Sequence, residues 1–230
     1  MMAPIPDLSE EYALCGAGHS RVAGLDEAGR GAWAGPVCAA AVVLPLSQDD
    51  LLVALDGVRD SKLLTPGRRE ALLPLIHETA VAIGVGWGKP AEIDLWGIVP
   101  ATRLAMGRAV AELKNHVDAL LVDYVALPGL DLPQHSLPKA DARCLSVAAA
   151  SIVAKVERDR LMVALDGQYP GYGFAQHKGY GTEQHREALG RLGCSAIHRV
   201  SWRPMRQRMG NEWATNKRIN EYTNGQRINE

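Results

Sequence analysis

Arg21-Val-Ala-Gly-Leu-Asp-Glu-Ala-Gly-Arg-Gly-Ala-Trp-Ala-Gly-Pro36 is the stretch on which the reading of this chain turns. A short apolar run, Val22 to Leu25, reads as a strand that ends in two adjacent carboxylates, Asp26 and Glu27. A Gly-Arg-Gly loop, Gly29 to Gly31, follows at once. Carboxylates gathered at a strand end call for a metal or a proton. A glycine-rich turn carrying an arginine calls for a phosphate. The loop is not a dinucleotide fingerprint: three residues rather than two precede Gly35, and a strand-like run rather than a helix comes next. Nor is it a Walker loop, which needs Gly-Lys-Ser/Thr. It can act as a nest, in which backbone N–H groups approach a sugar-phosphate chain and Arg30 supplies charge.

Outward from this stretch, Pro36 to Pro45 is a continuous apolar run bounded by prolines, which suits a strand buried on both faces. Thr65-Pro66 opens a helix with an N-cap and a first-turn proline. Ala80 to Trp87 reads as a third strand, and Ile93 to about Asn115 as one long helix. Ala119 to Tyr124 reads as a fourth strand that carries Asp123 at its end, followed by a proline-rich loop from Leu127 to Pro138. Leu145 to Leu165 and Thr182 to Leu192 are further helices, the latter with Thr182 as N-cap and Gly193 past its end. Strands first, then alternating strands and helices, predict an α/β domain with a mixed central sheet flanked by helices and a helical C-terminal part. Residues 1–20 read as a loosely held arm, 21–209 as the domain and 210–230 as a polar, disordered tail.

Four acids share a pattern: Asp26, Glu27, Asp123 and Asp141. Asp26 and Asp123 each close an apolar run, and strand ends lie on the rim of a sheet. If the first and fourth strands are neighbours, a metal can reach both carboxylates, and Asp141 stands just before the alanine-rich helix. Several carboxylates so close need a counter-charge. Mg²⁺ takes oxygen ligands, is commonly held by one or two carboxylates plus substrate phosphate, and in a pair of ions activates a water and stabilises a leaving oxygen. The bland reading of any one such aspartate is a turn residue or N-cap.

The length of 230 residues suits one domain, and a hydrophobic fraction of 47% suffices for a core. Aromatics make up only 5%, so alanine, valine and leucine must fill that core. A net charge of -1 does not announce a nucleic-acid partner, so a basic surface must be local. Arg186, Arg191, Arg199, Arg203, Arg206 and Arg208 are candidates for it, whereas Lys155 and Arg158 on a helix would ordinarily form a solvated face. The four cysteines stand far apart without a C-x-x-C pair, which argues against a zinc knuckle. The N-terminus resembles no signal peptide, and no run approaches the length of a membrane span, so a cytoplasmic, reducing setting is expected.

Asp26-Glu-Ala-Gly-Arg-Gly31, with Ala34-Gly-Pro-Val37, resembles the signature of ribonuclease HII, the type 2 ribonucleases H. Further elements agree in the family's order from about residue 21 to about residue 205. They are Asp60-Ser-Lys-Leu63, Leu121-Val-Asp123, Lys139-Ala-Asp141, Ala148 to Lys155 with Arg158-Asp159, and Tyr172 to Thr182. The resemblance implies a ribonuclease H-like fold and an endonuclease that uses Mg²⁺ or Mn²⁺. Its substrates would be RNA–DNA hybrids, including single ribonucleotides in duplex DNA, cut on the 5′ side to leave a 3′-hydroxyl and a 5′-phosphate. By the same resemblance Asp26, Glu27, Asp123 and Asp141 hold the metals, and Gly29, Arg30 and Gly31 read the 2′-hydroxyl. Tyr180 packs on the following deoxyribose, and Ser61, Lys62 and Lys155 contact phosphate. The protein is expected to act as a monomer. The chain departs from the family pattern at Ala32-Trp33, at Leu63-Leu64 and at Gly181, where a proline is usual. The glycine is expected to loosen Tyr180. The sister family ribonuclease HIII, which favours longer RNA, and a non-catalytic nucleic-acid binder are the alternatives. About twenty residues before the first strand leave no room for the sister's extra N-terminal domain, and the presence of all four acids argues against lost catalysis.

Overall fold

The structure is a computed structural model and describes residues 5–123 and 126–209. α1 (Ser9–Gly16) is followed by β1 (Val22–Ala28) and β2 (Val37–Val43). α2 (Leu51–Ala54) and α3 (Pro66–Thr79) lead to β3 (Ala82–Gly88), α4 (Pro90–Trp96) and α5 (Ile98–Glu112). β4 (Ala119–Asp123), β5 (Gln134–Leu137) and α6 (Leu145–Gln168) follow, and α7 (Phe174–His177), α8 (Glu183–Leu192) and α9 (Arg203–Met209) complete the described chain.

The five strands form one mixed sheet in the order β3-β2-β1-β4-β5. β1, β2 and β3 pair antiparallel, while β4 runs parallel to β1 and β5 parallel to β4. β2 is buried along its whole length, and its continuous apolar sequence follows from having a helix on each face. Ala28, Cys38, Ala40 and Val42 pack towards α6 and α3. Leu25, Val37, Ala39 and Ala41 pack towards α5. Small residues let the helices lie close: a Cβ on Gly86 would stand 2.0 Å from the Ala105 carbonyl oxygen of α5. This is how the core closes with so few aromatics. A separate cluster gathers α7, α8 and α9 against the end of α6, with Tyr172 stacked on Phe174 at 5.2 Å.

Four expectations are corrected. The arm is helical over Ser9–Gly16 and anchored: Glu11 is fully buried and accepts hydrogen bonds from Ser146 N–H (2.9 Å) and Ser146 Oγ (2.7 Å) at the start of α6. β1 does not stop at Leu25 but runs to Ala28, because Asp26 and Glu27 keep pairing with Ala40 and Ala39 of β2. The long helix is two helices, broken at Gly97, whose φ of 86° lies in the left-handed region. The proline-rich loop contains β5, a short edge strand flanked by Pro133 and Pro138. Its one-sided pairing tolerates prolines and polar residues that a central strand would exclude. The tail 210–230 and Tyr124, the expected last residue of the fourth strand, lie outside the described residues.

Candidate active site

The register of the two central parallel strands assembles the acids. β1 and β4 pair from Val22↔Ala119 to Leu25↔Val122, so the next positions in that register are Asp26 and Asp123. Side chains alternate along a strand. Gly24 and Ala28 face α6, and Leu25 faces α5. Asp26 therefore projects on the α6 side and Glu27 on the other. Asp141 arrives from a short 3-10 turn, Ala140–Ala142, at the foot of α6. The N–H of Ala140 donates to Asp123 Oδ1 at 3.3 Å, fastening the turn of the fourth acid to the third.

Electrostatics tie the four together. Burial pushes the Asp26 carboxyl well above its usual range, and the charges of Glu27 and Asp141 push it further. Burial also raises Glu27; Arg30 opposes the rise and Asp123 adds to it. Two cations answer this charge. Lys62 Nζ stands 3.1 Å from Asp141 Oδ2 and 3.8 Å from Asp60 Oδ1. Arg30 Nη1 donates to Glu27 Oε1 at 3.1 Å. Burial pulls the Lys62 amine down, but the fields of Asp26, Asp141 and Asp60 outweigh it and hold the amine above its ordinary range.

Among the described residues no three His, Cys, Asp or Glu side chains converge closely enough to cage an ion unaided. The residues nevertheless fit a hard divalent cation. All donors are oxygens, and the exposed ammonium of Lys62 already occupies a cation's place at Asp141. Mg²⁺ needs only one or two carboxylates when substrate phosphate and water fill the other positions.

The Gly-Arg-Gly loop continues directly from β1. Gly29 has a φ of 91°, and a Cβ there would lie 1.8 Å from Arg158 Nε, so only glycine fits. The loop's carbonyls turn inward onto Arg199, which donates to Gly29 O (2.7 Å), Arg30 O (2.8 Å) and Gly35 O (3.0 Å). Arg158 donates to Pro36 O (2.9 Å), Ala34 O (3.2 Å) and Lys178 O (3.0 Å). Both guanidiniums are fully buried and bonded to carbonyl oxygens. Among the described residues, the N–H groups of Arg30 and Gly31 meet no acceptor within the protein. Gly31 is exposed with open space around its Cα. The loop thus keeps two donors free of protein acceptors, while Arg199 takes two of its three carbonyls.

Tyr180 is half-buried beside this loop. Arg158 lies 5.4 Å and Lys155 Nζ 5.6 Å from its ring centroid. Lys155 also donates to Asp159 Oδ1 at 2.7 Å, which restrains the amine next to the tyrosine. Its neighbour in the proposed phosphate set, Ser61, is buried; its N–H donates to Ser151 Oγ (3.1 Å) and its carbonyl accepts from Arg69 (2.8 Å). Ser61 therefore sits beneath Lys62 as a support.

The basic face is smaller than the sequence suggested. Arg199 belongs to the interior, as does Arg158, which was expected on a solvated face; carbonyl oxygens of the loop supply what water would. Arg186, Arg191, Arg203 and Arg206 are exposed, and the side chain of Arg208 lies outside the described residues. Arg158 and Arg199 are the residues that sequence reasoning missed as parts of the site. Their only signal was position, each within a stretch resembling the family.

The family model for ribonuclease HII matches residues 23–205. The chain belongs to the ribonuclease HII family. A ribonuclease HII of Chloroflexus aurantiacus is 53% identical over 204 residues, covering 87% of this chain and 95% of that protein. One from Geobacter sulfurreducens is 51% identical over 193 residues, covering 84% and 87%. Among solved structures, the ribonuclease H2 of Pyrococcus horikoshii superposes with a TM-score of 0.68 at 28% identity, covering 85% of this chain and all of that one. A PCNA:RNase HII complex from Archaeoglobus fulgidus gives 0.67 at 30% identity, covering 80% and 95%. The ribonuclease H-like fold and the endoribonuclease class follow from this membership: the chain is an endonuclease acting on RNA–DNA hybrids.

Proposed function

We propose that the enzyme hydrolyses the phosphodiester 5′ of a ribonucleotide, including a single one embedded in duplex DNA, and leaves a 3′-hydroxyl and a 5′-phosphate. The observation that carries this reading is the Gly29–Gly31 loop, with the Gly29 and Arg30 carbonyls held by Arg199 and the Arg30 and Gly31 N–H groups without a protein acceptor. It is joined to the acidic rim through the Arg30–Glu27 pair and to Tyr180 through Arg158. The 2′-hydroxyl alone separates one ribonucleotide from its neighbours. A glycine backbone can approach it where a side chain would collide. Tyr180 supplies a flat face that accepts a deoxyribose and crowds an additional hydroxyl. Cleavage on one side of a lone ribonucleotide needs both features at a fixed distance from the acids.

Asp26, Glu27, Asp123 and Asp141 would hold two divalent cations, Mg²⁺ or Mn²⁺, which when bound activate a water and stabilise the leaving oxygen. The chain's own residues do the rest. Lys62 balances Asp141 and Asp60 until substrate and cations arrive, and its exposed amine then serves the phosphate. Lys155 is held by Asp159 beside Tyr180, where it faces the backbone beyond the junction. We further read the protein as a cytoplasmic monomer concerned with ribonucleotide removal during DNA replication and repair. Free thiols at Cys15, Cys38, Cys144 and Cys194 support a reducing compartment, and among the described residues no helix is long and apolar enough to cross a membrane.

The test is a labelled DNA duplex carrying one ribonucleotide, incubated with Mg²⁺, Mn²⁺ or chelator. A metal-dependent cut on the 5′ side of that ribonucleotide is expected. Cleavage confined to long RNA–DNA hybrids would overturn the junction reading, and binding without a cut in either metal would overturn catalysis.

A further inference from the structure

We propose that Trp33 is a positioning residue for Tyr180, acting through Gly181; the functional half of this inference rests on the junction reading above. The indole fills the space in which a Gly181 side chain would stand. A Cβ on Gly181 would lie 2.2 Å from both Cε2 and Cζ2 of Trp33, closer than any real Cβ contact. Gly181 does not have its φ in the left-handed region, so the ring is what demands glycine there.

The same tryptophan is fixed by its own backbone. Its N–H donates to Gly179 O at 2.8 Å, and its carbonyl accepts from Arg199 N–H at 2.9 Å. It therefore grips the residues on both sides of Tyr180, with backbone at position 179 and ring at position 181. The ring packs 5.6 Å from His185, whose Nδ1 meets the Tyr180 carbonyl at 3.0 Å. The Arg186 guanidinium lies over the indole, 5.7 Å from its ring centroid. Trp33 stands two residues beyond Gly31, so one rigid turn connects the loop that meets the ribose to the strap that carries the tyrosine.

Trp33 and Gly181 thus face each other. The glycine that was expected to loosen Tyr180 is clamped by the indole instead. The ring thereby stiffens the segment that carries Tyr180.

The experiment is a double-mutant cycle on the full-length enzyme with Trp33→Leu, Gly181→Ala and both together, read by thermal unfolding and by kcat/KM on two substrates. The substrates are a duplex with one ribonucleotide and a long RNA–DNA hybrid. Gly181→Ala is expected to lower Tm by about 5 °C, through overpacking against the ring. It should also lower the single-ribonucleotide to hybrid ratio about tenfold, because misplacing a positioning group slows the step it serves. The double variant should be no worse than Trp33→Leu alone, since leucine vacates the space that alanine enters. Should Gly181→Ala fail to fold, recovery of a folded enzyme in the double variant supports the fit. Additive losses in Tm, or a ratio unchanged by every variant while Tyr180→Ala does change it, would overturn the inference. Equal losses on both substrates in Tyr180→Ala would instead overturn the junction reading itself, whatever the cycle shows.

Discussion

Asp26 carries the most charge conflict of any residue here. It is buried, it lies in the fields of Glu27 and Asp141, and its carboxyl is driven upward by both circumstances. Asp26→Asn keeps the shape and removes the conflict. Cleavage should fall by about three orders of magnitude or more, since metal assistance is worth several kcal/mol. Tm in the absence of divalent ions should stay level or rise. An inactive enzyme that also melts several degrees lower would show that the carboxylate holds the fold. At Tyr180 the conservative comparison is with substrate. Tyr180→Ala should reduce single-ribonucleotide cleavage more than tenfold beyond its effect on long hybrids, a difference of the size that base or sugar stacking supplies. Parallel titrations of the two substrates measure it. Asp26 and Asp123 stood out in the sequence because each closes an apolar run, where a carboxylate has few reasons to be. Arg158 and Arg199 did not, because arginine in sequence reads as surface. Only a folded loop shows six carbonyl acceptors converging on two guanidiniums.

At the scale of elements, that convergence gives the loop its shape. Arg199 ties together Gly29, Arg30 and Gly35, three points of one turn, from a segment that enters late in the chain. Arg199→Leu leaves three carbonyls without donors in a closed interior. With a cost of about 1–3 kcal/mol for a buried polar group left unpaired, the variant should lose several kcal/mol and about 10 °C in Tm. Arg199→Lys supplies one donor cluster instead of a planar fork and should recover only part of the loss. Calorimetry on the three proteins decides it, and a leucine variant as stable as wild type would deny the brace. The helices and strands with strong periodicity or clear caps emerged where sequence placed them. Thr65 accepts from Arg68 N–H and Thr182 from His185 N–H, as their positions required. What failed were elements whose cause lies elsewhere in the fold. β5 exists because β4 offers an edge, not because Gln134-His-Ser-Leu137 favours a strand. α1 is ordered because Glu11 caps the start of α6, a contact 135 residues away in sequence.

For the molecule as a whole, the C-terminal layer is coupled to pH by a pair of buried histidines. The backbone N–H of Ser195 donates to His198 Nδ1 at 2.8 Å, so the proton of that ring sits on Nε2 and points at His185 Nε2, 3.0 Å away. His185 then carries its proton on Nδ1, towards the Tyr180 carbonyl. The chain of donors closes only while both rings are neutral. Burial, with the neighbouring histidine for His198, accordingly lowers both pKa values to about 4 from an ordinary 6.5. A group whose folded pKa lies below its unfolded value binds its proton preferentially when unfolded. Stability is therefore complete above about pH 6.5 and is lost as the pH falls towards 4. Each histidine removes about 2 kcal/mol by pH 5. Asp26, Glu27 and Glu11, with raised pKa values, push in the opposite direction, so the histidine contribution is read as a difference between proteins. His198→Gln retains a donor at the ring edge but does not titrate. Its urea stability should be lower than wild type at pH 7 and should fall by about 2 kcal/mol less between pH 7 and pH 5. Parallel stability curves for the two proteins would mean that the pair does not titrate with unfolding. Converging curves would show that the layer carrying Tyr180 is held by two rings that must remain uncharged.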